Sequence, residues 1–254
     1  MESQRSPKSL FSVRAGADLH MRNNNIIGVI GGMGPMASVE FYNMLIQKSV
    51  AVFGAKNNDD FPEILIDSVP VPDFISDTEQ LPAARSMLLK RVKQMNGFGV
   101  GEICIACNTA HILIDDFRKV SRASVISIME EIAKRVKKND HRRIGLLATP
   151  VTYKSDLYKD LKTDGRNLII PSKKEQEKIE QFIRSVIAGE PLDFIQKRIA
   201  PFGHNFVSTH KLDAVVLGCT ELPLIFPRDV PSEIIDTLDV LADAVLTHFY
   251  MRKI

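Results

Sequence analysis

Two stretches of this chain repeat each other, and that repetition limits the fold more than any other feature. Residues 27–30 (IGVI) are echoed at 144–147 (IGLL), and residues 103–107 (ICIAC) at 215–219 (VVLGC). Both echoes are set off by nearly the same length of chain, Gly28 to Gly145 and Cys107 to Cys219. A repeat of this length is a duplicated lobe, not a solenoid unit. Short β-branched runs at 26–30, 64–69, 102–106, 125–128, 144–148, 168–170, 214–217 and 234–235 are nearly continuous in apolar residues. That pattern suits strands of a parallel sheet covered on both faces. Helical patterns fall between them, at 37–52, 79–96, 130–138, 152–161, 174–188, 192–207 and 237–252. The alternation predicts an α/β fold: two similar Rossmann-like lobes with parallel sheets, related by a pseudo-twofold axis, with the active-site cleft between them. Residues 1–25 are expected to form a flexible arm, 26–121 plus 233–254 the first lobe, and 122–232 the second, the last helix packing back on the first lobe.

The arm is Arg- and Ser-rich and poor in acids, which fits a targeting peptide less well than a loose extension or a natural start at Met21. Lys and Arg total 33 against 31 Asp and Glu, a net charge of +2, so no long-range field draws nucleic acid or acidic lipid. No apolar run approaches the ~18 residues of a membrane span. Three cysteines, an odd number, argue against a disulfide framework and for a reducing, cytoplasmic setting.

Cys107 and Cys219 carry the chemical argument. Each follows a buried-strand run and precedes helix-starting residues, Asn108-Thr109 and Thr220-Glu221. Ligands of open α/β sheets bind beyond the carboxyl ends of the strands. A thiol there sits by free backbone N–H groups that stabilise a thiolate and can hold a carboxylate. If the lobes face each other, two thiols flank one cleft. One can take a proton from carbon while the other delivers a proton to the opposite face.

Two other motifs read more plainly. Cys104 and Cys107 form a C-x-x-C, but residues three apart on a strand face opposite sides, which makes Cys104 a core residue and leaves no zinc or redox pair. Residues 32–37 (GMGPMA) fit the dinucleotide fingerprint G-x-G-x-x-A. A proline inside the turn, and no acidic residue at the next strand end, favour an amino-acid or small-anion contact over a nucleotide cradle.

Taken together, residues 27–35 (IGVIGGMGP), 106–111 (ACNTAH) and 217–222 (LGCTEL) resemble the aspartate/glutamate racemase family, most closely its aspartate branch, over nearly the whole chain from residue 26. The resemblance implies a cofactor-independent amino-acid racemase, a homodimer, in which Cys107 and Cys219 are the catalytic acid/base pair. It also implies that Met33, Asn108, Thr109 and Thr220 contact the substrate's amino and carboxylate groups, with His111 structural. Related racemases and isomerases of hydantoin or maleate type, or a non-catalytic amino-acid sensor, are the alternatives. The chain departs from the aspartate enzymes where the distal carboxylate is read. Phe74 stands where they carry an arginine, and Glu177, with Lys178 adjacent, where they carry a lysine. Losing a bidentate arginine argues for a substrate with a neutral or basic side chain.

Overall fold

The computed structural model describes residues 25–251, so all but Asn25 of the expected N-terminal arm, and Met21 with it, lies outside the described residues. The first sheet contains β1 (Ile26–Gly31), β2 (Glu63–Ser68), β3 (Val100–Ile105) and β4 (Ser124–Ile126), in spatial order β2-β1-β3-β4. The second contains β5 (Arg143–Ala148), β6 (Asn167–Ile169), β7 (Ala214–Gly218) and β8 (Glu233–Asp236), in order β6-β5-β7-β8. Every pairing is parallel, and the second order is the first repeated with each strand's counterpart. The helices are α1 (Pro35–Ala51), α2 (Leu81–Gly97), α3 (Ile114–Val120), α4 (Ile128–Lys138), α5 (Pro150–Lys154), α6 (Lys173–Ile187), α7 (Leu192–His210) and α8 (Thr237–Met251).

Strand membership crosses the expected lobe limits. β4 falls in the stretch assigned to the second lobe but pairs with β3, while β8 falls in the stretch assigned to the first but pairs with β7. A three- or four-residue strand is placed by its neighbour rather than by its own pattern, which is why the sequence misplaced both. The helix expected over 152–161 is broken as well. α5 ends, Asp156 takes a left-handed φ of 52°, and residues Lys159–Lys162 form a separate 3₁₀ turn.

Period-two alternation divides the strand residues between three cores. Ile27, Val29, Cys104 and Ala106 of the first sheet, with Ile144, Leu146, Ala214 and Val216 of the second, point into one shared core between the sheets. Ile30, Ile103 and Ile105 face outward under α2 and α3, and Leu147, Val215 and Leu217 outward under α6 and α7. α8 lies in the shared core, packing on α1 and α4 and touching β3, β4 and β7, so it belongs to both lobes rather than to the first alone. Lys48 of α1 pairs with Asp239 and Asp243 of α8 at 2.8 and 2.6 Å, fastening the two helices. The repeated glycines have one physical reason in both lobes. A Cβ on Gly28 would lie 2.9 Å from Met95 and Val100, and one on Gly145 2.5 Å from Leu212 and 2.9 Å from Phe206. Among the described residues no helix is long and apolar enough to cross a membrane.

Candidate active site

β3 and β7 are counterparts, and each runs out into a cysteine. Cys107 follows β3 by two residues and Cys219 follows β7 by one; both are buried. Neither is followed by a long helix. A 3₁₀ turn over Thr109–Leu113 follows the first and another over Leu222–Leu224 the second. The backbone N–H groups of Ala110 and Thr109 favour a thiolate at Cys107, as expected of a turn opening beyond a strand. Burial outweighs them and pushes the Cys107 thiol up to about 12. Cys219 is likewise raised well above its ordinary value, first by burial and next by the negative charge of Glu221. The N–H groups read from the sequence as stabilising a thiolate are present but are outweighed. Both groups rest as thiols, because dehydration costs the thiolate more than the N–H dipoles return. A charge on Cys107 also raises the Cys219 thiol, though less than burial and Glu221 do.

Glu221 organises the second half of the site, although the sequence offered it only as a helix-starting residue. Its Oε2 accepts from the Cys219 thiol and from the Thr220 hydroxyl, both at 3.0 Å, and its Oε1 accepts from the Gly34 N–H at 3.0 Å. The buried carboxylate thus ties the glycine loop of the first lobe to the cysteine of the second. A Cβ on Gly34 would stand 3.0 Å from that oxygen and would crowd the carboxylate. Gly32 takes φ 88° and its N–H donates to Ser38 Oγ at 2.8 Å. Two of the loop's N–H groups are thus engaged inside the protein.

The residues beside Cys107 are equally committed across the seam between the lobes. Tyr158 donates its hydroxyl to Asn108 Oδ1 at 2.5 Å, and Asn108 Nδ2 donates to Thr237 Oγ1 at 2.9 Å. Thr237 in turn donates to the Leu217 carbonyl at 3.1 Å. Thr109 Oγ1 meets the hydroxyls of Thr149 at 2.9 Å and Thr152 at 3.2 Å. Asn108, Thr109 and Thr220 therefore border the site, with their side-chain groups holding the lobes and Glu221 in place. Tyr158 is buried and lies within electrostatic reach of both cysteines; nothing in its own sequence neighbourhood marked it.

His111 is structural, as expected. The Ile128 N–H donates to its Nε2 at 3.1 Å, so Nδ1 carries the proton and donates to the Cys107 carbonyl at 2.8 Å. Burial lowers it to about 4, and it stays neutral. Cys104 turns to the opposite face of the sheet from Cys107, its thiol against the Gly28 carbonyl at 3.5 Å.

A cavity of about 270 Å³ opens on Cys107. Met33 lines it, as does Phe74, which is otherwise buried in the first lobe's outer core. Cys219 is not among its lining residues. Glu177 and Lys178, expected as possible side-chain readers, stand on α6. Both are exposed and neither lines the cavity; Arg184 and Ile187, farther along α6, do. Alignment by residue type chose the charged residues, whereas the helix's rotation decides which positions face inward.

Comparison with known proteins places this arrangement. The family model described as Asp/Glu/Hydantoin racemase matches residues 30–245. The broad specificity amino-acid racemase RacX of Bacillus subtilis is 25% identical over 227 residues, covering 88% of this chain and 98% of its own. The solved Picrophilus torridus aspartate racemase superposes with a TM-score of 0.75 at 27% identity, over 89% of this chain and 94% of that one. An aspartate racemase homologue from Pyrococcus horikoshii OT3 gives 0.73 at 26%, over 89% and 99%.

Proposed function

We propose that this chain, which belongs to the Asp/Glu/hydantoin racemase family, inverts the α-carbon of a free amino acid with Cys107 and Cys219 as its two proton carriers and no cofactor. The observation carrying the reading is the pairing itself. Equivalent strands of two like-ordered sheets run out into thiols close enough that the charge of Cys107 reaches Cys219. One ionised sulfur and one protonated sulfur are what inversion requires. The thiolate removes the α-hydrogen from one face, the electron pair is held toward the substrate carboxylate, and the opposite thiol gives its proton to the other face. The protein ends with the two roles exchanged, ready for the enantiomer.

The raised thiols fit this scheme because the substrate supplies the missing charge. Its α-ammonium group, brought into a dry cleft, lowers the cost of a thiolate where water is excluded. N–H groups of Thr109 and Ala110, already directed at Cys107, are placed to help hold the negative charge that develops. Met33, Asn108, Thr109 and Thr220 frame the amino and carboxylate groups in this reading, and Phe74 replaces a charged reader with an apolar wall. A homodimer in the cytoplasm is the assembly and setting we infer. The exposed apolar residues Met36, Val39, Tyr42 and Val50 of α1 are the surface a second copy would cover.

The test is stereochemical. In deuterated water the wild type should place deuterium at the α-position of both enantiomers. Cys107→Ala and Cys219→Ala should each lose inversion and exchange only one enantiomer, the opposite one in the two variants. Chiral chromatography with mass detection reads both effects. Racemisation at the wild-type rate in either variant would remove the two-thiol mechanism. Binding without any exchange would make the protein a sensor.

A further inference from the structure

The cavity that opens on Cys107 carries a charge pattern at its mouth that bears on which amino acid enters. Among its described lining residues only Asp73 and Arg184 are charged. Arg184 is not free to greet a ligand. Its guanidinium lies 3.1 Å from Asp73 Oδ2 and 3.0 Å from Glu180 Oε1, and it also donates to Ser76, which bonds Glu180 as well. One cation thus faces two carboxylates, and the trio carries a formal charge of −1. Below this rim the walls are apolar: Met33, Val71, Pro72, Phe74 and Ile187.

We propose that this mouth selects amino acids whose side chain is an aliphatic stem ending in a cation, of the lysine and ornithine kind, over dicarboxylates. The inference rests on the racemase reading and names the substrate class for that site. The stem's methylenes lie along the apolar walls while the ammonium reaches Asp73 and Glu180 at the rim, as such side chains do wherever an apolar surface meets a polar edge. A distal carboxylate would have to displace Arg184 from two partners or sit beside the spare negative charge. Phe74, an apolar ring in the wall, offers it nothing.

The geometry adds a second point. Asp73 and Ser76 belong to the connection between β2 and α2, whereas Glu180 and Arg184 stand on α6 of the other lobe. In the same connection Phe74 packs into the first lobe's core, Ile75 packs against the second's, and the Ile75 carbonyl accepts from the Val151 N–H at 3.1 Å. The charged rim therefore bridges the two lobes, so a side chain that completes it also helps hold them together over the thiols.

The test is a panel of L-Lys, L-ornithine, L-Met, L-Glu and L-Asp followed by α-deuterium incorporation and chirality, on wild type, Asp73→Asn, Glu180→Gln and the double variant. Wild type should favour L-Lys or L-ornithine over L-Asp and L-Glu by at least about tenfold in kcat/KM, the scale of one unit charge at a partly solvated site. Each single variant should lower the Lys-to-Met ratio of kcat/KM by about tenfold, through KM. The double variant, whose trio carries +1, should bring L-Glu above L-Lys. Turnover with a preference for L-Asp or L-Glu in wild type, or a Lys-to-Met ratio indifferent to both substitutions, overturns the side-chain assignment and leaves the racemase standing. Exchange of none of the five overturns both.

Discussion

Glu221 illustrates how much one buried residue can set. It receives hydrogen bonds from Cys219, Thr220 and Gly34, and its charge raises the Cys219 thiol after burial has already done so. Replacing it by glutamine removes the charge and leaves one acceptor oxygen where there were two, for either the Gly34 N–H or the Cys219 and Thr220 donors. In Glu221→Gln the Cys219 thiol should therefore ionise at lower pH, and the alkaline-rising limb of the kcat/KM profile should move toward neutrality for the enantiomer that Cys219 deprotonates. An unmoved limb for both enantiomers would mean that this carboxylate does not govern either thiol. The sequence displayed Glu221 within the LGCTEL motif, beside the cysteine it serves. What it did not display is the Gly34 N–H, which lies far back along the chain and comes close only when the two lobes meet.

Elements impose their own conditions. His111 links the turn after β3 to the start of α4, accepting the Ile128 N–H and donating to the Cys107 carbonyl. Because its folded value sits near 4 against an ordinary 6.5, the unfolded chain takes up a proton first as the solution is acidified. Stability linked to His111 is complete above pH 6.5 and is lost as pH falls to about 4, roughly 3 kcal/mol over that window. Urea denaturation across pH 4–7 should show this slope in wild type and a flatter one in His111→Gln, whose overall stability is lower. The strands make a comparable demand through packing. Gly145→Ala drives a methyl to 2.5 Å from Leu212 and 2.9 Å from Phe206, and overpacking of this kind costs about 1–3 kcal/mol. Chemical denaturation should read that loss. A variant as stable as wild type would show that α7 can retreat from β5.

For the whole molecule the deciding feature is the shared core. Ile27 and Phe41 of one lobe and Ile144 and Val216 of the other fall in a single buried cluster with Leu241 and Val245 of α8. Lobes divided by such a core cannot unfold separately without exposing it, so urea should produce one transition, coincident when followed by backbone signal and by aromatic fluorescence. Two separated transitions would contradict it. Across the seam, Tyr158→Phe removes the donor to Asn108 Oδ1 and leaves a buried amide oxygen short of a partner, a loss of about 1–3 kcal/mol. The same variant loosens the group next to Cys107, so its turnover should fall more than its stability suggests.

The amino-acid sequence by itself determined the duplicated α/β plan, the approximate places of the strands along the chain and the opposition of Cys104 to Cys107, because these follow from local periodicity and from motifs a few residues long. It also marked Cys107 and Cys219 as partners through the repeat alone. The tertiary structure decided the rest. It placed β4 and β8, gave α8 to both lobes, put Glu221 on Gly34 and Tyr158 on Asn108, and turned Arg184 rather than Glu177 or Lys178 toward the cavity. Each of these depends on groups far apart in the chain, whose approach is fixed by how two folded layers pack rather than by anything a short segment encodes.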